Sequence, residues 1–293
     1  MDAAPSRVAV WLHGARPRTL GASVTPVVVG TAAAGHAEVW RFVAALLVGL
    51  GLQIGVNYAN DFHDGVRGVD TAERLGPPRL TSSGMASPRS VLAASLACIL
   101  VAGFAGLALA IATTLWLIPL GAVAMLALWL YSGGPRPYAE LGLGELMVFL
   151  FFGVMATAGT AYVQAERVST AAWWSSVSMG LFAVAILVAN NLRDIPTDAA
   201  TGKRTLAVRL GDRRTRVFYR ACLVAAFAVV PIAVAFDGMP ARALLSLGAL
   251  VVAVRPFVAV RDASGRGLIP VLVGTGLAQV AFGALIALGL WVA

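Results

Sequence analysis

Charged residues are scarce in this sequence. Of its 293 residues, 12% are charged and 59% are hydrophobic, whereas an ordinary soluble domain is about 25% charged. This composition argues against a water-soluble globular protein. Cysteine is scarce too: Cys98 and Cys222 both fall within apolar runs, so we expect two buried free thiols and no disulfide. No Ser, Cys or His arrangement suggests nucleophilic catalysis, so the chemistry has to rest on other residues.

Long apolar runs are abundant. A helix spans a bilayer core with roughly 20 apolar residues, and these runs are rich in Ala, Leu, Val and Gly without the strict alternation of barrel strands. We therefore expect a single all-α, polytopic membrane domain over residues 1–293. Its nine transmembrane helices are predicted at about 19–36, 41–60, 91–112, 115–132, 145–164, 172–192, 218–236, 240–256 and 268–291. The first run lacks a small-residue cleavage site after it, which favours a span over a signal peptide.

Positive charge is distributed unevenly between the loops. Most of the 22 Lys and Arg residues fall in alternate loops counted from the N-terminus, while the opposite loops hold only Arg41, Arg167 and Arg242. The positive-inside rule then places the N-terminus in the cytoplasm and the C-terminus outside. Because the net charge of +8 comes from these flanking residues, it indicates anionic lipid or a phosphorylated substrate as partner, and no nucleic acid.

The segment NYANDFHDGVRGVD (57–70) is unusually acidic for this chain. Asn57, Asn60, Asp61 and Asp64 are spaced i, i+3, i+4 and i+7, which puts them on one face of a helix at the cytoplasmic end of the second span. Carboxylates placed there repel one another and lose solvation, so a counter-charge is expected nearby. His63, within the same segment, is expected to be a loop side chain and not a general base.

A second segment, NNLRDIPTD (190–198), repeats this pattern at the end of the sixth span. Its polar residues are Asn190, Asn191, Asp194 and Asp198. The spacing from Asn57 to Asp61 recurs between Asn190 and Asp194, and both segments fall on the same predicted side of the membrane. The repeat indicates two similar helical halves.

Carboxylate and amide oxygens in two matched arrays suit a hard cation. Mg²⁺ takes one or two carboxylates together with substrate phosphates. Basic residues follow both segments: Arg67, Arg74 and Arg79 after the first, and Lys203, Arg204 and Arg209 after the second. Cations beside Mg²⁺ suit a diphosphate that becomes a leaving group, and a diphosphate at the mouth of a helical bundle implies a lipid tail inside. Alternatively, the acids pair with loop arginines and the basic residues only anchor helices at the interface.

These residues resemble the UbiA superfamily of intramembrane prenyltransferases. NDFHD and NNLRDIPTD look like its two Asp-rich motifs. Further segments are similar to the menaquinone-synthesis branch, which prenylates 1,4-dihydroxy-2-naphthoate: RPRTLGASVTPVVVGT (16–31), YSGGPRPY (131–138), GLGELMVFLFFG (142–153) and GKRTLAVRLGDRRTR (202–216). The likeness extends over about residues 16 to 217, and the last three spans carry little that is diagnostic.

The resemblance implies nine helices around a central cavity, two Mg²⁺ ions and a polyprenyl diphosphate held between the motifs. Metal would be held by Asp61, Asp64, Asp194 and Asp198. Diphosphate would be bound by Asn57, Asn60, Asn190, Asn191, Lys203 and Arg204. Arg67 is a further candidate because it follows the first motif. Gly68 occupies the position of the third Asp of the superfamily's first motif. Asp70 follows two residues later, as in the menaquinone branch, and is expected to have either a metal or a loop role. Tyr131 and Arg136 are candidates for binding the acceptor.

The implied activity is Mg²⁺-dependent transfer of an all-trans polyprenyl group to 1,4-dihydroxy-2-naphthoate in a bacterial plasma membrane. Diphosphate and CO₂ would leave, giving demethylmenaquinol. One alternative is another aromatic acceptor, such as 4-hydroxybenzoate. Another is an ion-coupled transporter, since transporters often have intramembrane acids and duplicated halves. The acids of this chain cluster at the ends of spans, however, and only Glu145, near a helix start, comes close to a span interior. A CDP-alcohol phosphotransferase is disfavoured, because DGVRG (64–68) lacks the Ala-Arg that its signature requires.

Overall fold

The computed structural model describes residues 6–68, 79–134 and 137–292, and within these ranges the chain forms helices and no β-strand. The helical segments are α1 (Arg7–Ala15), α2 (Gly21–Ala34), α3 (Val39–Arg67), α4 (Pro88–Ala112), α5 (Leu117–Ser132), α6 (Gly144–Ala165), α7 (Thr170–Ala200), α8 (Leu206–Phe236), α9 (Ala241–Ala259) and α10 (Gly265–Trp291). The all-α class predicted from the apolar runs is confirmed.

Seven of the described helices, α3, α4 and α6 to α10, are long and apolar enough to cross a membrane. Helices α2 and α5 are also apolar but shorter, with 14 and 16 residues. Each predicted span coincides with one of these nine helices. The count of nine crossings stays a prediction, because α2 and α5 fall short of the roughly 20 residues that a full crossing takes.

Large apolar side chains cover the outside of the bundle. Phe104 on α4, Trp116 directly before α5 and Phe236 at the end of α8 are 71%, 81% and 86% exposed. In water, so much exposed apolar surface would drive association, whereas lipid tails solvate it. With its long apolar helices, the chain is a multi-pass membrane protein.

The largest apolar core lies between α7, α8 and α10. Phe182, Phe227 and Phe282, one from each helix, have ring centroids 5.1–5.5 Å apart. Cys222 is buried in the same core, while Cys98 is half-buried on α4, and both are free thiols. The expectation of two free thiols within apolar helices is confirmed, although Cys98 is less buried than expected.

Close helix contact in this bundle depends on glycine. A Cβ atom on Gly153 of α6 would lie 2.3 Å from the Cα of Gly180 on α7. No side-chain movement could relieve this clash, because the Cα of Gly180 belongs to the backbone. Small residues allow such approach between membrane helices. In the same part of α6, residues Phe149–Met155 form a π-helical turn. Such turns interrupt the regular α-helix and often occur near functional sites.

Helices α3 and α7 carry the two Asn/Asp segments in similar positions. Each packs along the helix that follows it, α3 along α4 and α7 along α8. Asp61 lies as far from the end of α3 as Asp194 lies from the end of α7. Since both helices end at the mouth of one cavity, the fold brings the two Asn/Asp segments together. The two similar halves predicted from the repeat stay a prediction.

Candidate active site

A cavity of about 910 Å³ runs into the helical bundle. Its deep walls are apolar, and they include Leu52, Leu109, Leu128, Phe151, Phe152 and Leu187. Phe151 and Phe152 belong to the π-helical turn of α6. Its mouth is polar and includes Asn60, Asp64, Asp194, Asp198 and Lys203. The cavity therefore offers a charged entrance above an apolar interior, which suits a molecule with an ionic head and a hydrocarbon tail.

Asp61 is buried and held by cations. Its Oδ1 accepts hydrogen bonds from Arg16 at 2.5 Å and Arg79 at 2.7 Å, and its Oδ2 accepts from the backbone N–H of Leu80 at 3.1 Å. Asp61 does not line the cavity, although both arginines do. Removing one partner of such a buried ion pair costs about 3–5 kcal/mol. In this arrangement Asp61 fixes Arg16 and Arg79 at the mouth, and its role as a metal ligand stays a prediction.

Asp64 faces the cavity and joins three parts of the chain. Its Oδ2 lies 2.9 Å from Arg79 Nη2 and 3.4 Å from Lys203 Nζ. Arg79 comes from the segment before α4, and Lys203 comes from the loop after α7. The first Asp-rich segment is thus connected directly to the basic residue that follows the second.

Asp194 of the second Asp-rich segment pairs with an arginine of its own helix. The guanidinium of Arg193 binds Asp194 with two hydrogen bonds of 2.7 Å and donates another to Asn190 Oδ1 at 2.8 Å. Such bidentate pairs are strong and directional. Asn190, Arg193, Asp194 and Asp198 all line the cavity. A guanidinium therefore accompanies the equivalent aspartates, Asp61 and Asp194, in both halves.

Three asparagines of the two segments line the cavity with their amide oxygens unpaired within the described part of the chain. Asn57 donates its Nδ2 to the carbonyl of Ala15 at 3.1 Å, and Asn191 donates its Nδ2 to Glu145 Oε1 at 3.0 Å. Asn60 Oδ1 is buried without a hydrogen-bond partner among the described residues. All three asparagines line the cavity. Because unsatisfied buried polar atoms are costly, Asn60 Oδ1 is suited to a ligand that enters the mouth.

These donors fit Mg²⁺ in kind. Carboxylates and amide oxygens line one mouth, and Mg²⁺ needs only one or two protein carboxylates when it also binds substrate phosphate. Within the described ranges, no three His, Cys, Asp or Glu side chains are grouped closely enough to hold a metal ion by themselves. Arginine and lysine compensate the carboxylates instead, so a metal ion and an anionic ligand would have to be accommodated together.

The predicted basic residues separate into two groups. Lys203 lines the cavity, whereas Arg204 is exposed and does not line it. Arg67 is also outside the cavity lining: it pairs with Glu140 at 3.3 Å and donates to the carbonyl of Gly134. The diphosphate roles of Arg67 and Arg204 stay predictions. Three further candidates, Asp70, Arg74 and Arg136, lie outside the described residues.

Two tyrosines stand beside the mouth. Tyr131, at the end of α5, lines the cavity together with Tyr138, and the two rings pack edge to face with centroids 5.5 Å apart. Burial raises the pKa of the Tyr138 phenol above its ordinary value of 10.0, so this hydroxyl stays protonated at neutral pH. His63, by contrast, does not line the cavity: it packs against Phe62 and Trp129. It lies within α3, so its predicted position in a loop is wrong. The position of Tyr131 is consistent with the predicted acceptor role.

Sequence reasoning did not single out Arg16, Arg193 and Arg266 as site residues, yet all three line the cavity. Arg16 and Arg193 lie within segments already noted, RPRT and NNLRD, and a counter-charge was expected near the acids. That expectation could have identified them. Arg266 lies in the first turn of α10, a part of the chain in which no sequence motif was identified.

Known proteins share this architecture and sequence. The UbiA prenyltransferase family matches residues 23–267. A 1,4-dihydroxy-2-naphthoate octaprenyltransferase from Mycobacterium tuberculosis is 48% identical over 278 residues, covering 93% of each chain. One from Escherichia coli is 37% identical over 228 residues, covering 75% of this chain and 74% of the relative.

Solved structures show the same fold at much lower identity. A UbiA homolog from Archaeoglobus fulgidus bound to GPP and Mg²⁺ aligns with a TM-score of 0.66 at 16% identity, covering 94% of this chain and 99% of that one. One from Aeropyrum pernix K1 aligns with a TM-score of 0.70 at 17% identity, covering 94% and 97%. From the family match, the sequence relatives and the shared helical fold, the chain belongs to the UbiA prenyltransferase family.

Proposed function

We propose that the chain transfers a polyprenyl group from an all-trans polyprenyl diphosphate to 1,4-dihydroxy-2-naphthoate, releasing diphosphate and CO₂ and giving demethylmenaquinol. The observation that carries the proposal is the cavity, which joins a mouth lined by both Asn/Asp segments to a deep apolar interior. Relatives named for this naphthoate acceptor, at up to 48% identity, support the choice of acceptor.

The diphosphate head would bind at the mouth and the prenyl tail in the interior. Mg²⁺ would be held by Asp64, Asp194 and Asp198, with two ions expected, and it would supply positive charge for the leaving diphosphate. Asp61 joins this set if Arg16 and Arg79 shift from Asp61 to the diphosphate. Asn57, Asn60, Asn190 and Asn191 would support the metal or the diphosphate.

Ionisation of the prenyl diphosphate is the first chemical step. The allylic C–O bond breaks, and its electron pair leaves with the diphosphate. Lys203 lines the mouth beside Asp64, where its ammonium would stabilise the negative charge that grows on the departing oxygen. The apolar walls would keep bulk water away from the allylic cation.

Attack by the acceptor completes the reaction. The electron-rich naphthoate ring forms a C–C bond from its carboxyl-bearing carbon to the allylic cation. The bond to the carboxylate then breaks, and its electron pair returns to the ring as CO₂ leaves. Tyr131 would orient the acceptor from the cavity wall, and Arg136 would pair with its carboxylate. The site of action would be a bacterial plasma membrane, with both Asp-rich segments on the cytoplasmic side.

An acceptor panel tests the proposal. Purified chain would be incubated with Mg²⁺ and prenyl diphosphates of increasing length, together with either 1,4-dihydroxy-2-naphthoate or 4-hydroxybenzoate. We expect a prenylated product from the naphthoate. A product from 4-hydroxybenzoate alone would move the chain to a different acceptor class, and a product from neither would remove the proposed activity.

A further inference from the structure

Glu145 is a buried carboxylate that the proposed reaction does not use. It is 6% exposed and lies in the first turn of α6, where the free N–H groups of a helix start favour negative charge. It does not line the cavity. A buried carboxylate is costly unless it is hydrogen-bonded. Within the described ranges, its side-chain hydrogen bond is made with Asn191, and this contact indicates the role of Glu145.

The contact with Asn191 fixes the direction of an amide. Asn191 Nδ2 donates to Glu145 Oε1 at 3.0 Å, and Asn191 itself lines the cavity. Its Oδ1 has no hydrogen-bond partner within the described part of the chain. Because the amide nitrogen of Asn191 donates to Glu145, the amide is held in one orientation. Its oxygen can then bind a ligand in the cavity.

The two ends of an amide offer opposite chemistry. An amide oxygen binds a cation or accepts a hydrogen bond, whereas the nitrogen can only donate. An Asn191 side chain free to turn over would spend part of its time presenting nitrogen to the mouth. The first half meets the same requirement with a backbone group, since Asn57 donates its Nδ2 to the carbonyl of Ala15.

We propose that Glu145 is the positioning residue for Asn191, which it holds with Oδ1 presented to Mg²⁺–prenyl diphosphate at the cavity mouth. The inference rests on the proposed function, because it takes the ligand of the mouth to be a prenyl diphosphate with Mg²⁺. Outer residues that orient a ligating group typically change metal affinity or activity by about 10–100-fold when removed.

The test compares two replacements of Glu145 in the full chain. Glu145→Gln keeps an oxygen acceptor for Asn191, whereas Glu145→Leu removes it at similar volume. Binding of a non-transferable analogue, geranyl S-thiolodiphosphate, is measured by calorimetry in the presence of Mg²⁺. We expect Glu145→Leu to weaken binding by about 10–100-fold and Glu145→Gln to bind close to wild type.

Gln164→Leu is the matched control. Gln164 lies at the other end of α6, is 1% exposed, and accepts a hydrogen bond from the backbone N–H of Glu38 at 2.8 Å. Its loss should lower the thermal unfolding temperature without changing the affinity for the analogue. Wild-type affinity in Glu145→Leu, or an equal loss in Glu145→Gln, would overturn the positioning role.

A reversed pair covers the case in which Glu145→Leu does not fold. Asn191→Asp places a second carboxylate at the 3.0 Å contact, and we expect it to weaken binding of the analogue. Adding Glu145→Gln supplies an amide N–H at position 145 that can donate to the carboxylate at position 191. The double variant should therefore bind the analogue more tightly than Asn191→Asp alone. Absence of this rescue would contradict the proposal.

Failure of the proposed function gives a different result. Wild-type chain that binds the analogue but does not prenylate 1,4-dihydroxy-2-naphthoate would remove the proposed acceptor. The ratio between wild-type and variant affinities would still decide the role of Glu145.

Discussion

Lys203 Nζ lies 3.4 Å from Asp64 Oδ2, and this ion pair joins the loop after α7 to the last turns of α3. The same carboxylate accepts from Arg79 at 2.9 Å. Asp64 of the first Asn/Asp segment therefore pairs with one basic residue that follows each segment, Arg79 and Lys203. A diphosphate entering this mouth would find cations already held in place by carboxylates.

Lys203 is expected to act on the leaving group. Lys203→Met should lower kcat by about 10²–10³, the scale for loss of one preorganised electrostatic contact, because its charge would stabilise the departing diphosphate most strongly in the transition state. Lys203→Arg should recover only part of the rate, since a planar fork does not reproduce a compact ammonium. Steady-state kinetics with saturating substrates measures this.

Arg204→Met provides the neighbouring control for Lys203. Arg204 is exposed and outside the cavity lining, so its removal should leave kcat nearly unchanged. A large loss in Arg204→Met would restore its predicted phosphate role. Near-normal kcat in Lys203→Met would remove Lys203 from the site.

Magnesium dependence should separate the aspartates that line the cavity from Asp61. Asp64→Asn and Asp194→Asn should raise the Mg²⁺ concentration needed for half-maximal activity, because each removes a carboxylate at the mouth. Asp61→Asn should lower activity at every Mg²⁺ concentration, because Asp61 holds Arg16 and Arg79, and an unmoved midpoint would show that holding these arginines is its whole role. A shifted midpoint in Asp61→Asn would instead show that Asp61 binds metal directly.

Much of the fold could be predicted because it follows from local properties of the sequence. The apolar runs determine where helices form, and the i, i+3, i+4 and i+7 spacing of the first Asn/Asp segment correctly placed its residues on one helix face. The pairing of Asp61 with Arg16 and Arg79 could not be predicted in this way. It depends on how α1 and the segment before α4 pack against α3, which no local pattern encodes.

The direction in which a side chain points could not be predicted from the sequence either. Lys203 and Arg204 are adjacent and carry the same charge, so both were equally good phosphate ligands by sequence. In the structure, Lys203 lines the cavity and Arg204 is exposed, because the turn after α7 sets which side chain faces inward. The same holds for Glu145, whose only sequence signal was an acid near the start of an apolar helix.

Cysteine labelling tests the predicted orientation. In a chain with Cys98 and Cys222 replaced by alanine, Arg204→Cys and Arg167→Cys each place one thiol at an exposed position on opposite predicted sides. In intact cells, the thiol at position 167 should react with a membrane-impermeant maleimide, and the one at 204 only with a permeant reagent. The reverse labelling would place both Asp-rich segments outside the cell.

Carbon dioxide release tests the central claim most directly. Wild-type chain would be incubated with Mg²⁺, a polyprenyl diphosphate and 1,4-dihydroxy-2-naphthoate carrying ¹⁴C in its carboxyl group. We predict that labelled CO₂ appears in step with diphosphate, that the prenylated product carries no label, and that omitting either Mg²⁺ or the prenyl diphosphate stops the release. A prenylated product that retains the label, or no product at all, would contradict the proposed transfer.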